Sequence, residues 1–76
     1  MTEIGARVGA IEKSDKETVW LFGYGVYDGR IEHPELGFPN SRITLDDGRK
    51  VWGCECWWAV EDVIKSKIGD REVVYV

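Results

Sequence analysis

Residues 18–30, TVWLFGYGVYDGR, constrain this chain more than any other stretch. They form its longest apolar run, filled with β-branched and aromatic side chains, and Gly23 and Gly25 sit two positions apart inside it. β-Branched and aromatic residues suit a pleated, half-buried surface. A glycine inside such a run marks a bend, or a place where something packs against bare backbone. The segment reads as the long, bent central strand of a small β-barrel. Strict alternation puts Trp20, Phe22, Tyr24 and Val26 on one face, and Val19, Leu21, Gly23, Gly25 and Tyr27 on the other. The structural account of the glycine pair is barrel curvature with an aromatic ring over the gap. The functional account is a groove floor for a ligand.

Seventy-six residues make one domain, residues 1–76. A chain this short buries only roughly two thirds of its unfolded surface, so its core is thin. Four Trp, three Tyr and two Phe compensate, since each large apolar side chain fully buried is worth about 1.5–3 kcal/mol. Neither a disulfide nor a metal is then required. The formal charge of −4 disfavours nonspecific nucleic-acid binding, which needs clustered Lys and Arg. The acids are interleaved with basic residues, so there is no unbroken stripe to mimic a phosphate backbone. Residues 1–4 carry no leader pattern, and no apolar run approaches the ~20 residues that span a bilayer. The expectation is a cytoplasmic protein without a membrane partner, in which Cys54 and Cys56 are reduced thiols. Their C-x-C spacing also makes a mutual disulfide awkward.

Along the chain, residues 6–12 (ARVGAIE) read as a first strand, and residues 14–17 as a polar turn. Residues 28–41 (DGRIEHPELGFPNS) read as a long loop interrupted by Pro34 and Pro39, with Ile31 able to prolong the preceding strand and Leu36 and Phe38 tucked onto the barrel. Residues 42–53 (RITLDDGRKVWG) give the clearest local signal. A type I turn with Gly48 in the left-handed region forms a three-residue hairpin loop, pairing Leu45 with Arg49 and Ile43 with Val51. That register turns Ile43, Leu45 and Val51 inward and leaves Arg42, Thr44, Lys50 and Trp52 outward. A bulge at Gly53 is expected to bring both cysteines inside, because cysteine is among the most buried residue types. Residues 57–68 (WWAVEDVIKSKI) have helical spacing, with Val60, Val63, Ile64 and Ile68 as the stripe and Trp57 continuing it. Acids come early and lysines late, as the helix dipole favours, and Gly69 suits the C-terminal stop, but no good N-cap precedes. Residues 72–76 (EVVYV) read as a last strand that closes or edges the sheet.

The order of short strands, long first loop, tight hairpin, helix and last strand resembles the SH3-like small β-barrels. Residues 5–11 (GARVGAI) resemble the first strand of Tudor- and KOW-type modules, and Leu45-Asp46-Asp47-Gly48 resembles their distal hairpin. The helix before the last strand is longer than the short turn usual there. The combination of VGAI, LFGYGVY and LDDGRKVWGCECWW also resembles a small group of uncharacterised bacterial and phage proteins, from which no activity follows. The fold expectation is mainly β: an SH3-like barrel with one amphipathic helix near the C-terminus. Barrels of this kind commonly bind through aromatics lining a groove, to proline-rich segments or methylated cations.

Five aromatics exceed what a thin core needs, and with one cation they form the candidate binding surface: Tyr24, Tyr27, Arg42, Trp52, Trp57 and Trp58. The expected role is noncatalytic recognition of a protein or peptide, with no cofactor. A small regulatory or inhibitory homodimer, paired through the strand from Glu72 to Val76, is the alternative. Thiol or metal chemistry at Cys54 and Cys56, with His33 as a third ligand, is a remote one. The C-x-C spacing is not that of a zinc site, and a nucleophilic thiol needs a cationic or helix-N-terminal setting. Gly23-Tyr24-Gly25 lies inside a strand and lacks the context of a nucleotide-binding loop.

Overall fold

A computed structural model describes residues 2–76; Met1, the first residue of the leader reading, lies outside them. The long apolar run forms one strand, β2 (Thr18–Glu32), and every other strand except β4 and β5 is laid directly on it. β1 (Arg7–Ser14) pairs antiparallel with it, and β3 (Pro39–Leu45) pairs antiparallel on the other side. β4 (Lys50–Trp52) pairs with β3, and β5 (Trp57–Val60) pairs with β1. After α1 (Glu61–Ile68), β6 (Glu72–Tyr75) returns parallel to the start of β2. The ladder order is β4-β3-β2-β1-β5, with β6 on β2. The described residues are therefore mainly β, with one helix near the C-terminus. No β4–β5 ladder joins the ends among the described residues. No helix among them is long and apolar enough to cross a membrane.

Two hydrophobic clusters lie on opposite sides of this sheet. The inner one holds Val8, Ala10, Tyr27, Ile43, Leu45 and Val51, with Phe22, Cys56 and Trp58 packed against it. It joins residues of β1, β4 and β5 that are far apart in the ladder, so the sheet curls around it. The second holds Ile11, Val19, Leu21, Ile64 and Ile68, with Tyr24, Ala59 and Val73 at its margin. α1 covers that side.

The split explains a correction to the face assignment of β2. Opposite β1, Ala10 pairs with Gly23 but Ile11 pairs with Leu21, so Phe22 is an extra residue. Such a bulge reverses the alternation. Val19 and Leu21 join Tyr24 on the helix side, while Phe22 joins Tyr27 inside. Gly25 is covered by backbone rather than by a ring: a Cβ there would stand 2.1 Å from the Thr44 carbonyl oxygen. The ring-over-glycine contact occurs instead at Gly9, where Tyr24 packs.

The hairpin register is as expected, with Ile43 opposite Val51 and the Leu45 amide donating to the Arg49 carbonyl at 2.8 Å. Gly48 has φ +94°, the positive value that the turn demands. Three expectations need correction. Residues 28–41 are not one loop, because β2 runs on to Glu32 and β3 begins at Pro39, leaving a short tip from which Leu36 and Phe38 project into solvent. Pro39 is tolerated because it opens its strand. The helix starts at Glu61, since the aromatic run at Trp57–Val60 pairs with β1 instead; Val60 and Val63 are exposed, and only Ile64 and Ile68 are buried. Finally, β4 ends at Trp52 in a turn, so Cys54 stays exposed and only Cys56 is partly covered.

Candidate functional site

The edge of β2 away from β1 is shared by two strands that do not meet. β6 covers Thr18 to Leu21, its last pair being Leu21 with Tyr75, and β3 takes over only at Gly25, opposite Leu45. Phe22, Gly23 and Tyr24 lie in the gap. A groove of about 290 Å³ opens there, lined by Phe22, Gly23, Tyr24, Leu45, Tyr75 and the hairpin residues Asp46, Asp47 and Arg49. Gly23 has φ +137° at the bulge, and a Cβ would meet nothing nearer than Leu45 Cδ2 at 4.0 Å. The floor is therefore bare backbone, and the walls are rings; Tyr75 is 69% exposed.

The gap has few unpaired carbonyls. The Phe22 carbonyl accepts from the Arg49 guanidinium at 3.0 Å, and the Tyr24 carbonyl accepts from the Asp46 amide at 2.9 Å. Arg49 also donates to Asp47 at 2.7 Å, and Arg7 donates to both carboxylate oxygens of Asp46 at 2.7 Å. These bonds hold both carboxyls below the ordinary aspartate range: the Arg7 side chain does so for Asp46, and the Arg49 amide, then its side chain, for Asp47. The rim thus keeps two ionised carboxylates over the working pH range. Burial pushes the Tyr24 phenol above its usual value, so it remains a neutral hydrogen-bonding group.

The six residues picked out by sequence do not assemble into one surface. Tyr24 lines the groove. Tyr27, 8% exposed, is core: it stacks on Trp58 with centroids 4.8 Å apart and planes 17° from parallel. That stack takes Tyr27 out of the binding surface expected from sequence. Arg42 pairs with Trp52 across β3 and β4, and its guanidinium donates to Asp28 at 2.8 Å. Trp52 lies against His33, with centroids 4.5 Å apart. Trp57 is exposed near the end of the helix, with the Lys67 ammonium 5.3 Å from its ring. Phe22, Arg49 and Tyr75 were missed as site residues. The one sequence sign was the glycine pair, because the gap arises from two strands distant in sequence.

The Cys56 thiol has an unreactive setting. Burial, with Glu55 nearby, pushes Cys56 up to about 11, and its thiol donates to the Trp52 carbonyl at 3.3 Å. His33 Nδ1 accepts from the Glu35 and Leu36 amides. No group of three His, Cys, Asp or Glu side chains is placed to hold a metal ion among the described residues. Comparison with protein-family models, curated proteins and solved structures returns no match, so no relative's role comes to this chain.

Proposed function

We propose that the protein is a noncatalytic binding module, SH3-like in plan, that takes a proline-containing segment of another protein in the groove between β6 and the β3–β4 hairpin. The observation that carries this is the bare Gly23 floor flanked by Phe22, Tyr24 and Tyr75. Aromatic walls on a shallow groove suit a polyproline helix, which is already extended and loses little entropy on docking. Asp46 and Asp47 are each paired with an arginine, so the rim is fixed in place and the rings carry the recognition. The SH3-like plan is supported by the ladder order, in which the fifth strand returns to the first. The raised thiol of Cys56 supports a role without catalysis.

Titration of the ¹⁵N-labelled protein with proline-rich decapeptides tests this. Saturable shifts are expected at Gly23, Asp47, Arg49 and Tyr75, with at least about tenfold weaker binding, 1.4 kcal/mol, in Tyr75→Ala. Absence of saturation at millimolar peptide, or indifference to Tyr75→Ala, refutes the reading. A regulatory or inhibitory homodimer has one observation in its favour: among the described residues the outer edge of β6 has no partner strand. Concentration-dependent sedimentation that Tyr75→Ala abolishes, with no peptide binding, selects it.

A further inference from the structure

A second bare edge lies elsewhere on the sheet, and lysines flank it. β5 covers the outer edge of β1 only from Val8 to Ile11, the last pair being Ile11 with Trp57. β1 continues through Glu12, Lys13 and Ser14, paired with β2 on one side and with no strand on the other among the described residues. A pocket of about 320 Å³ runs along this stretch, lined by Ile11, Glu12, Lys13, Ser14, Trp57 and Lys67. The Trp57 indole is 46% exposed. Lys67 sits over that indole and Lys13 over Trp20, with ammonium-to-centroid distances of 5.3 and 4.8 Å. Neither lysine forms an ion pair among the described residues. Glu12 is the one carboxylate lining the pocket, and it is the extra residue of a bulge between the Ile11 and Lys13 pairs.

We propose that this edge is a second binding site, which takes an acidic extended segment of another protein by strand addition, continuing the line of β5 along Glu12 to Ser14. Unpaired strand amides and carbonyls are a template for another backbone. The bulge and the charge of Lys13 discourage indiscriminate pairing, as at many sheet edges. A segment with carboxylates at alternate positions turns the charge barrier into attraction, because those carboxylates share one face of the added strand and meet Lys13, which stands with Trp20 on the face away from the helix. On the opposite, helix-side face the Trp57 indole, with the Lys67 stem over it, supplies apolar surface for the side chain between the acids. The site is independent of the groove at Gly23, which lies on the other edge of β2.

The test is titration of the ¹⁵N-labelled protein at low salt with an acetylated, amidated hexapeptide alternating valine and glutamate. Saturable shifts are expected at the Glu12, Lys13 and Ser14 amides and at the Trp57 indole, while Gly23 and Tyr75 stay unmoved. Affinity is expected to fall about threefold in Lys13→Gln, as one exposed charge contact is lost, and to change little in Lys67→Gln. Methylating the peptide's pairing-edge nitrogens is expected to abolish binding. No saturation at millimolar peptide overturns the proposal. Equal binding of the methylated peptide, or reproduction of the same shifts by acetate alone, also overturns it, by showing an anion site without strand pairing.

Discussion

The two sides of the sheet are stabilised in different ways. The inner cluster is enclosed by strands whose backbones interlock: Gly25 lies under the Thr44 carbonyl so closely that even a methyl group has no room. The helix side is covered by two turns of helix whose buried contribution is Ile64 and Ile68, and no side chain caps the helix at its start. Strand interlock is all-or-none, because a ladder cannot give way at one residue without releasing its neighbours. A short amphipathic helix held by two isoleucines can detach while the ladder stays formed. The inner side therefore sets global stability, and α1 is the element that opens first.

Gly25→Ala is the largest test of this contrast. The added Cβ would meet the Thr44 carbonyl oxygen at 2.1 Å and the Leu45 Cα at 2.7 Å. Both are backbone atoms, so no rotamer relieves the clash, and β3 must move off β2. The expected cost is about 5 kcal/mol, a large part of a small domain's stability. Denaturant titration showing a variant within about 2 kcal/mol of the parent would break the argument that backbone fit governs the inner side.

A matched pair sharpens the comparison at intermediate size. Ile43 and Ile64 are both fully buried, one on each side. Ile43→Ala is expected to cost about 4 kcal/mol and Ile64→Ala about 2–3 kcal/mol, since the helix can settle into the space more readily than a strand. Hydrogen exchange separates them better than the midpoint does. In Ile64→Ala the amides of α1 exchange fast while those of Tyr27 and Ile43 keep their protection relative to global unfolding. In Ile43→Ala all protected amides fall together. Uniform loss in both variants would show that the helix is not a separate opening unit.

The same contrast governs what could be read from sequence. The hairpin at Asp46-Asp47-Gly48 was legible because its turn chemistry is local and one register alone buries Ile43, Leu45 and Val51 together. The helix start was not. Residues 57–60 satisfy a helical stripe as well as a strand, and the choice was made by the open edge of β1, which takes them as β5. The arm at Glu32 and Pro39 was hidden because a proline that ends a loop looks the same as one that opens a strand. Cys54 stayed outside because β4 stops in a turn at Gly53, and no bulge carries the strand onward. Of the candidate site, the glycine pair pointed at the floor. The walls depend on where β6 stops along β2, which no local pattern encodes.

The smallest effect concerns the residue at which strand becomes helix. Val60 ends β5 opposite Val8 and is also the N-cap of α1, with φ −57° and ψ 152° and no side-chain hydrogen bond to the first turn. Those angles are the extended conformation that a capping serine or threonine adopts, so the geometry is in place and the acceptor is missing. A β-branched residue is still wanted for the strand. Val60→Thr keeps the branch, replaces one methyl of a partly exposed side chain, and offers a hydroxyl to the orphan amides at Asp62 or Val63. The expected gain is about 0.5 kcal/mol, at the low end for a cap because some apolar contact is lost. The gain should appear as slower exchange of the α1 amides with little change at Tyr27 or Ile43. If the global midpoint rises and the helix amides do not slow, the helix was already closed in step with the sheet. The two sides would then form one cooperative unit.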